Sequence, residues 1–207
     1  MNTADRQAHW QGVYQTKHEH EVSWFQERAD VSINLIRATG VGPDAAIIDI
    51  GGGTSRLVDG LLLAGFRSLS VLDLSEAALA TARARLGVQA AKVNWVVADV
   101  TTWVPQQIYD VWHDRAAFHF LTDPGDRTAY AERVRRAVRS GGYVIIGTFA
   151  PDGPERCSGL PVLRHDATSI GEVLGGAFEL ELTRQHEHPT PWGTIQHFQF
   201  SRFRHLG

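Results

Sequence analysis

The stretch that decides the fold reads AIIDIGGGTS and covers residues 46–55. Its first half is a short apolar run with β-branched residues, which is typical of a buried parallel strand. Three glycines then interrupt the run, and Thr54 or Ser55 can cap a following helix. Such a turn lets the backbone approach a ligand, and the free N–H groups of the helix N-terminus point at it. A glycine turn alone is equally typical of a tight connection with no ligand.

Downstream of this stretch, apolar runs alternate with helical stretches. Further strands are predicted at residues 69–73, 93–97, 109–113 and 143–147. Helices are predicted from the Thr54 or Ser55 cap to Gly65 and at residues 75–86, 124–139 and 168–174. Residues 151–167 read as a loop, and residues 178–186 and 193–203 as an antiparallel hairpin around a Pro189–Gly193 loop. Alternating strands and helices favour parallel pairing with right-handed crossovers. The predicted fold is therefore α/β: a Rossmann-like, doubly wound, seven-stranded and mostly parallel sheet with a C-terminal antiparallel hairpin strand.

Composition narrows the class of protein. The chain has 207 residues, 43% of them hydrophobic, a formal net charge of −3 and one cysteine. This length favours a single domain over residues 1–207. The charge gives no basic footprint for nucleic acid, and the single cysteine fits a reducing compartment. No apolar run reaches the roughly 20 residues that span a bilayer. We expect a cytoplasmic protein without a membrane or nucleic-acid partner, while the oligomeric state is not determined by the sequence.

Two carboxylates follow predicted strands. Asp73 ends the second strand, and its side chain could accept hydrogen bonds from both hydroxyls of a ribose. Asp99 ends the third strand and could accept a hydrogen bond from an exocyclic amine such as that of adenine. A solvated strand-end carboxylate and a local cap are the structural alternatives. Arg56 stands where a dinucleotide-binding loop would carry its third glycine, which argues against an NAD- or FAD-dependent enzyme.

The ordered strand ends resemble those of the class I S-adenosylmethionine-dependent methyltransferases. Residues 49–53, of sequence DIGGG, look like the first motif of that family, and Ser140-Gly141-Gly142 is similar to its usual glycine pair before the fifth strand. The resemblance implies that S-adenosyl-L-methionine is the cofactor. It also implies a cofactor site made of Gly51, Gly53, Asp73, Leu74, Asp99 and Val100.

The N-terminus resembles a smaller group within this family. The pattern Trp10-x-x-x-Tyr14 followed by Trp24 looks like methyltransferases whose N-terminal segment folds over the cofactor, among them elongation-factor lysine methyltransferases and uncharacterised bacterial relatives. The resemblance implies a helical cap over residues 1–40 and a core over residues 41–207. It implies further cofactor contacts from these aromatic residues and Arg115. Independently, aromatic faces attract a sulfonium cation, although Trp10 and Tyr14 could simply pack one helix face onto the core.

The segment after the fourth strand should face the methyl group and its acceptor. His113, Asp114 and His119 are the candidate catalytic residues there, with a satisfied structural histidine as the alternative reading for either ring. The i, i+2 histidine pairs at residues 18–20 and 186–188 lack a third ligand at fixed spacing, so we expect no metal. Cys157 is expected to be structural or to line the acceptor site.

The acceptor is expected to be a small molecule, with a protein lysine side chain as the alternative. An NAD-dependent oxidoreductase and a binding module with an inactive cofactor pocket remain as competing classes.

Overall fold

The computed structural model describes residues 2–207, which form a seven-stranded sheet. Its strands are β1 (Ala46–Ile50), β2 (Ser68–Asp73), β3 (Val93–Val97), β4 (Tyr109–Arg115), β5 (Val138–Phe149), β6 (Phe178–Pro189) and β7 (Ile195–His205). Their spatial order is β3-β2-β1-β4-β5-β7-β6. Strands β1 to β5 pair in parallel, and β7 pairs antiparallel with both β5 and β6. The predicted fold class is confirmed.

Helices cover both faces of the sheet. They are α1 (Thr3–Thr16), α2 (Asp30–Arg37), α3 (Leu57–Leu63), α4 (Glu76–Leu86), α5 (Pro124–Ala137) and α6 (Ala167–Leu174). Alternate residues of β1 point to opposite faces. Ile47 packs with α2 and α3, whereas Ile48 packs with α5 and α6. Burying both faces explains why β1 reads as a continuous apolar run.

Some element boundaries differ from the prediction. Helix α5 ends at Ala137, and Ser140-Gly141-Gly142 lies inside β5 rather than ending the helix. The pairing of β5 with β4 slips in register at this point, and Gly141 has a left-handed φ of 72°. The glycines therefore allow an irregularity within a strand. The predicted loop 151–167 contains a short hairpin of two-residue strands, Arg156–Cys157 and Leu160–Pro161.

The spatial order of the strands shows where the candidate site lies. Strands β1 and β4 are neighbours in space, but β2 and β3 lie on the other side of β1. This reversal of direction creates a crevice at the carboxyl ends of the strands, where α/β sheets bind ligands. None of the helices formed by residues 2–207 combines the length and apolar character that crossing a bilayer requires.

Candidate active site

A cavity opens at the carboxyl ends of β1 to β4 beneath α1. Its volume, counted as the space that the centres of water-sized molecules can occupy, is about 100 Å³. Of the residues predicted to bind a cofactor, nine line it: Trp10, Tyr14, Trp24, Gly51, Asp73, Leu74, Asp99, Val100 and Arg115. The tenth, Gly53, lies just behind Tyr14 and Asp73. The fold therefore brings together residues that are up to 105 positions apart in the sequence.

The glycine turn after β1 takes a conformation that only glycine adopts easily. Gly51 and Gly53 have left-handed φ angles of 63° and 50°. A Cβ atom on Gly51 would lie 2.6 Å from the Cβ of Ala117, and one on Gly53 would lie 2.8 Å from the Tyr14 hydroxyl oxygen. Both positions therefore require glycine for backbone conformation and for space. This close approach is what keeps the cavity open beside the turn.

Asp73 lies at the end of β2 and is only 6% exposed. The alternative of a solvated strand-end carboxylate is therefore wrong, because α1 covers this end of the strand. One carboxylate oxygen accepts a hydrogen bond of 2.8 Å from the backbone N–H of Ser75. Burial raises the pKa of Asp73 to about 7, although backbone N–H groups of Ser75 and Gly53 oppose the rise. The group is poised to change charge near neutral pH.

Asp99 lies at the end of β3 and is bound by α1. One oxygen accepts from the backbone N–H and the hydroxyl of Thr101, at 2.9 and 2.7 Å. The other accepts from the Thr3 hydroxyl at 2.9 Å and from Arg6 at 2.8 Å. Burial acts to raise the pKa of Asp99, but these donors outweigh it and lower the pKa. Since a carboxylate has about four acceptor positions, a further donor would have to replace one of these four.

Arg6 is a site residue that the sequence analysis missed. It lines the cavity and joins Asp99 to Asp126 at the start of α5, with a contact of 2.5 Å to the latter. The signal that could have found it is spacing, because Arg6, Trp10 and Tyr14 are each four residues apart and share one face of α1. That face is turned toward the cavity.

Aromatic rings form the wall opposite the strand ends. Trp10 is the centre of this cluster, with ring centroids 5.7 Å from Trp24 and 4.9 Å from Phe120. Tyr14 also packs against Trp24, at 6.3 Å. Phe120 and Phe149, which the sequence analysis did not single out, complete the lining together with Cys157. Trp10 and Tyr14 can therefore pack α1 onto the core and still face the cavity, so the two predicted roles are compatible.

Arg115 carries the positive charge nearest to this aromatic wall. Its Nη1 donates to the backbone carbonyl of Trp24 at 3.0 Å, and its guanidinium stacks over Phe198 at 4.7 Å from the ring centroid. Its Nε and Nη2 are buried and have no hydrogen-bond partner. Burial lowers the pKa of Arg115 to about 10, which still leaves the group charged at neutral pH. The next residue, Ala116, also lines the cavity and has a left-handed φ of 69°, a conformation that is uncommon outside glycine.

His113 sits on β4 with both ring nitrogens engaged. Its Nδ1 lies 2.7 Å from Asp49 and its Nε2 lies 2.8 Å from the Ser32 hydroxyl of α2. The ring is 2% exposed and borders a second, more polar cavity on the other side of Tyr14 and Gly51. These contacts hold α2 against the sheet.

Asp114 is fully buried and points away from the cavity. It accepts hydrogen bonds from the backbone N–H groups of Ala117 and Phe118, at 2.9 and 3.1 Å, and from the Tyr130 hydroxyl at 2.8 Å. Tyr130 in turn accepts from the indole N–H of Trp112 at 2.8 Å. Burial raises the pKa of Asp114 to about 6 despite these donors. The network fixes the turn that brings Ala116 and Ala117 to the cavity.

Removing the Tyr130 hydroxyl tests the importance of this network. We expect Tyr130→Phe to lower the free energy of unfolding by about 1–3 kcal/mol, because the buried Asp114 oxygen and the Trp112 N–H would each lose a partner. Urea unfolding followed by circular dichroism measures the change. Tyr143→Phe, at a half-buried ring stacked between Arg202 and Arg204, is the matched control. Equal stabilities of the two variants would contradict the structural role of the network.

His119 lies behind Phe120 and Phe149. Its Nδ1 accepts a long hydrogen bond of 3.5 Å from the backbone N–H of Phe149, and its Nε2 has no partner. Burial lowers its pKa to about 3, so the ring is neutral. None of the three predicted catalytic side chains lines the main cavity. Their catalytic roles stay a prediction. The contacts described above hold them behind the residues that line the cavity.

The paired histidines lie in different settings. His18 caps the helical turn Glu19–Glu21, which contains His20, so these two do not share a strand face. His186 and His188 lie on β6 with ring centroids 6.5 Å apart. The Nε2 of His188 donates to the Ser23 carbonyl at 2.8 Å, which ties the hairpin to the N-terminal segment. Within residues 2–207 no group of three or more histidine, cysteine or carboxylate side chains is arranged to hold a metal ion.

Comparison with known proteins agrees with this geometry. Residues 47–142, which run from β1 into β5, match the family model of a methyltransferase domain. This span is therefore similar to a methyltransferase domain. No curated protein matches the sequence.

Solved methyltransferases share the fold over the whole chain. The N-methyltransferase NodS from Bradyrhizobium japonicum, solved with S-adenosyl-L-homocysteine, is 14% identical, with a TM-score of 0.74 and 100% of both chains covered. A 1,6-didemethyltoxoflavin-N1-methyltransferase from Burkholderia thailandensis is 21% identical, with a TM-score of 0.74, and covers 100% of this chain and 92% of its own. A methyltransferase from Anabaena variabilis is 17% identical, with a TM-score of 0.76 and coverage of 99% and 96%. At these identities the likeness shows the fold.

Proposed function

We propose that this methyltransferase domain uses S-adenosyl-L-methionine to methylate a small-molecule acceptor. The observation that carries the proposal is the cavity itself, in which the glycine turn, Asp73 and Asp99 meet at adjacent strand ends beneath aromatic rings. The solved methyltransferases with the same fold include one that acts on the small molecule 1,6-didemethyltoxoflavin. An acceptor of that size class fits a cavity covered by α1 and lined by aromatic rings better than a protein side chain on a folded surface does.

The residues present fit this cofactor. Asp73 presents a buried carboxylate at the cavity wall as an acceptor for ribose hydroxyls, and Gly51 brings the backbone of the turn to the same wall. Leu72, Leu74 and Val100 offer apolar surface for a base beside Asp99. When bound, the cofactor supplies an electrophilic methyl group on a sulfonium. Trp10, Tyr14 and Trp24 would cover that cation, and Arg115 would contact the cofactor from the end of β4.

The N-terminal segment is proposed to act as the cap of a single domain. Helix α1 contributes one face to the cavity, and Arg6 fastens it to Asp99 and Asp126. The arrangement supports the resemblance to the group with the Trp-x-x-x-Tyr pattern. The proposal divides the chain into a helical cap over residues 1–40 and a Rossmann-like core over residues 41–207.

Calorimetric titration with S-adenosyl-L-homocysteine tests the cofactor. We expect binding with one site per chain, and absence of heat at millimolar ligand would refute the proposal.

Incubation of the protein with a cell lysate and methyl-labelled S-adenosyl-L-methionine tests the acceptor class. Label should appear in the small-molecule fraction, whereas label confined to protein would favour a lysine acceptor.

The pKa of Asp73 predicts how cofactor binding depends on pH. The free carboxyl has a pKa near 7, whereas ribose hydroxyls donate to the ionised form, so binding should release a proton. The affinity for S-adenosyl-L-homocysteine should therefore rise with pH up to about 7 and fall roughly tenfold for each unit below it. Dissociation constants measured between pH 5 and 8 test this. In the Asp73→Asn variant the affinity should no longer depend on pH in this range. An equally steep pH profile in that variant would mean that another group titrates.

A further inference from the structure

We propose that the acceptor reaches the cofactor already deprotonated, as a small apolar or aromatic anion such as a thiolate or phenolate. The inference rests on the proposed function, because it concerns the part of the cavity away from Asp73 and Asp99. That part, which we call the acceptor end, has Phe120, Phe149 and Cys157 in its lining. It shares Trp10, Trp24 and Arg115 with the proposed cofactor site.

The acceptor end contains no side chain suited to remove a proton. Among the described residues, the titratable groups that line it are Cys157 and Arg115, and both carry protons at neutral pH. Burial raises the pKa of the Cys157 thiol to about 11. Tyr14, at the border with the cofactor site, has its pKa raised by burial and by Asp73. An acceptor that depends on a protein base for ionisation has no partner here.

The groups behind the wall do not change this conclusion. His119 is separated from the cavity by Phe120 and Phe149, and Asp114 is held by Tyr130 and two backbone N–H groups. His165, near His119, and His188, on the hairpin side, both have their pKa lowered by burial to about 4, and neither lines the cavity. Asp73 and Asp99 belong to the proposed adenosyl end, where the Ser75 backbone N–H already donates to Asp73 and Arg6 of the N-terminal helix donates to Asp99.

The charge at the acceptor end favours an anion. Arg115 forms no ion pair with any carboxylate among residues 2–207, and two of its N–H donors are buried without a partner. A buried cation of this kind is stabilised by a negative neighbour and destabilised by a positive one. Because the cofactor brings a second cation, its sulfonium, an anionic acceptor would offset both charges, whereas an ammonium such as that of lysine would add a third and would need to lose a proton before it could react.

The transfer then needs no proton acceptor. The lone pair of the anionic sulfur or oxygen forms a bond to the methyl carbon, the bond from that carbon to the sulfonium breaks, and its electron pair stays on the cofactor sulfur. One negative and one positive charge disappear together. The protein contributes position and the exclusion of water, which can account for much of the rate of such a displacement.

The ionisation of a bound acceptor can be measured directly with a phenol whose absorbance changes when it loses its proton. We would bind 4-nitrophenol to the complex of the full chain with S-adenosyl-L-homocysteine and titrate its absorbance. We expect the pKa of the bound phenol to lie at least about one unit below its value in solution, a tenfold shift toward the anion. Arg115→Met should abolish the shift, Arg115→Lys should keep part of it, and Arg67→Met, which removes an exposed arginine paired with Asp44, should keep all of it. An unchanged or raised pKa in the wild-type complex would overturn the proposal, whatever the variants do.

Turnover with matched acceptors gives an independent test. Thiophenol should be methylated at least tenfold faster than benzylamine, and the pH at which its rate levels off should move when a more acidic thiophenol replaces it. A levelling pH that stays fixed for both thiols would reveal a base on the protein and overturn the proposal. Preference for benzylamine or for a lysine peptide, or no methylation of any probe, would overturn it as well. Failure to bind S-adenosyl-L-homocysteine would instead refute the proposed function.

Discussion

Asp73→Asn should weaken the binding of S-adenosyl-L-homocysteine by roughly 1.5–3 kcal/mol, which is about a 10- to 150-fold rise in the dissociation constant. The reason is the loss of a charged acceptor for ribose hydroxyls, while the amide keeps the shape of the side chain. Isothermal titration at pH 8 gives the affinity, since the wild-type carboxylate is then ionised. The melting temperature should not fall, because burial without a charged partner disfavours the carboxylate in the folded protein.

The matched control is Asp44→Asn, which removes an exposed carboxylate whose ion pair with Arg67 lies far from the cavity. It should leave both affinity and melting temperature unchanged. A variant of Asp73 that loses stability but keeps its affinity would show that the residue serves the fold rather than the ligand.

Gly51→Ala should cost both stability and ligand binding. The left-handed backbone at this position disfavours a side chain by about 1–2 kcal/mol, and a Cβ atom placed 2.6 Å from the Cβ of Ala117 adds crowding that typically costs about 1–3 kcal/mol. Urea unfolding measures the stability. Titration with S-adenosyl-L-homocysteine should show a loss of at least tenfold in affinity. The new methyl group can be accommodated only if the glycine turn shifts or Ala117 shifts, and each shift would push atoms into the cavity.

Two further variants separate the causes. Gly42→Ala adds a methyl group where no atom lies within 4 Å and φ is not left-handed, so it should change neither property. The double variant Gly51→Ala with Ala117→Gly removes the crowding and should recover only that part of the stability. If Gly51→Ala behaved like Gly42→Ala, neither the left-handed φ nor the contact with Ala117 would constrain the turn.

Local patterns in the sequence were sufficient for the sheet and for most of the residues that line the cavity. The apolar run ending in three glycines defines β1 and its turn, and acids at or just beyond the ends of β2 and β3 must come to the same edge of a parallel sheet. Trp10 and Tyr14 share a helix face by spacing alone. These inferences succeed because strand polarity and helix periodicity decide direction without any long-range contact.

Tertiary structure decided what each polar group experiences. Whether Asp73 is solvated or buried depends on α1, which is distant in sequence, and the same helix fills the acceptor positions of Asp99 through Thr3 and Arg6. His113 and Asp114 looked suited to catalysis from their position after a strand, yet their partners Asp49, Ser32 and Tyr130 come from three other elements. Burial and hydrogen-bond partners arise from packing between remote segments, so the sequence determined where chemistry could occur, and only the fold determined the charge and direction of each group there.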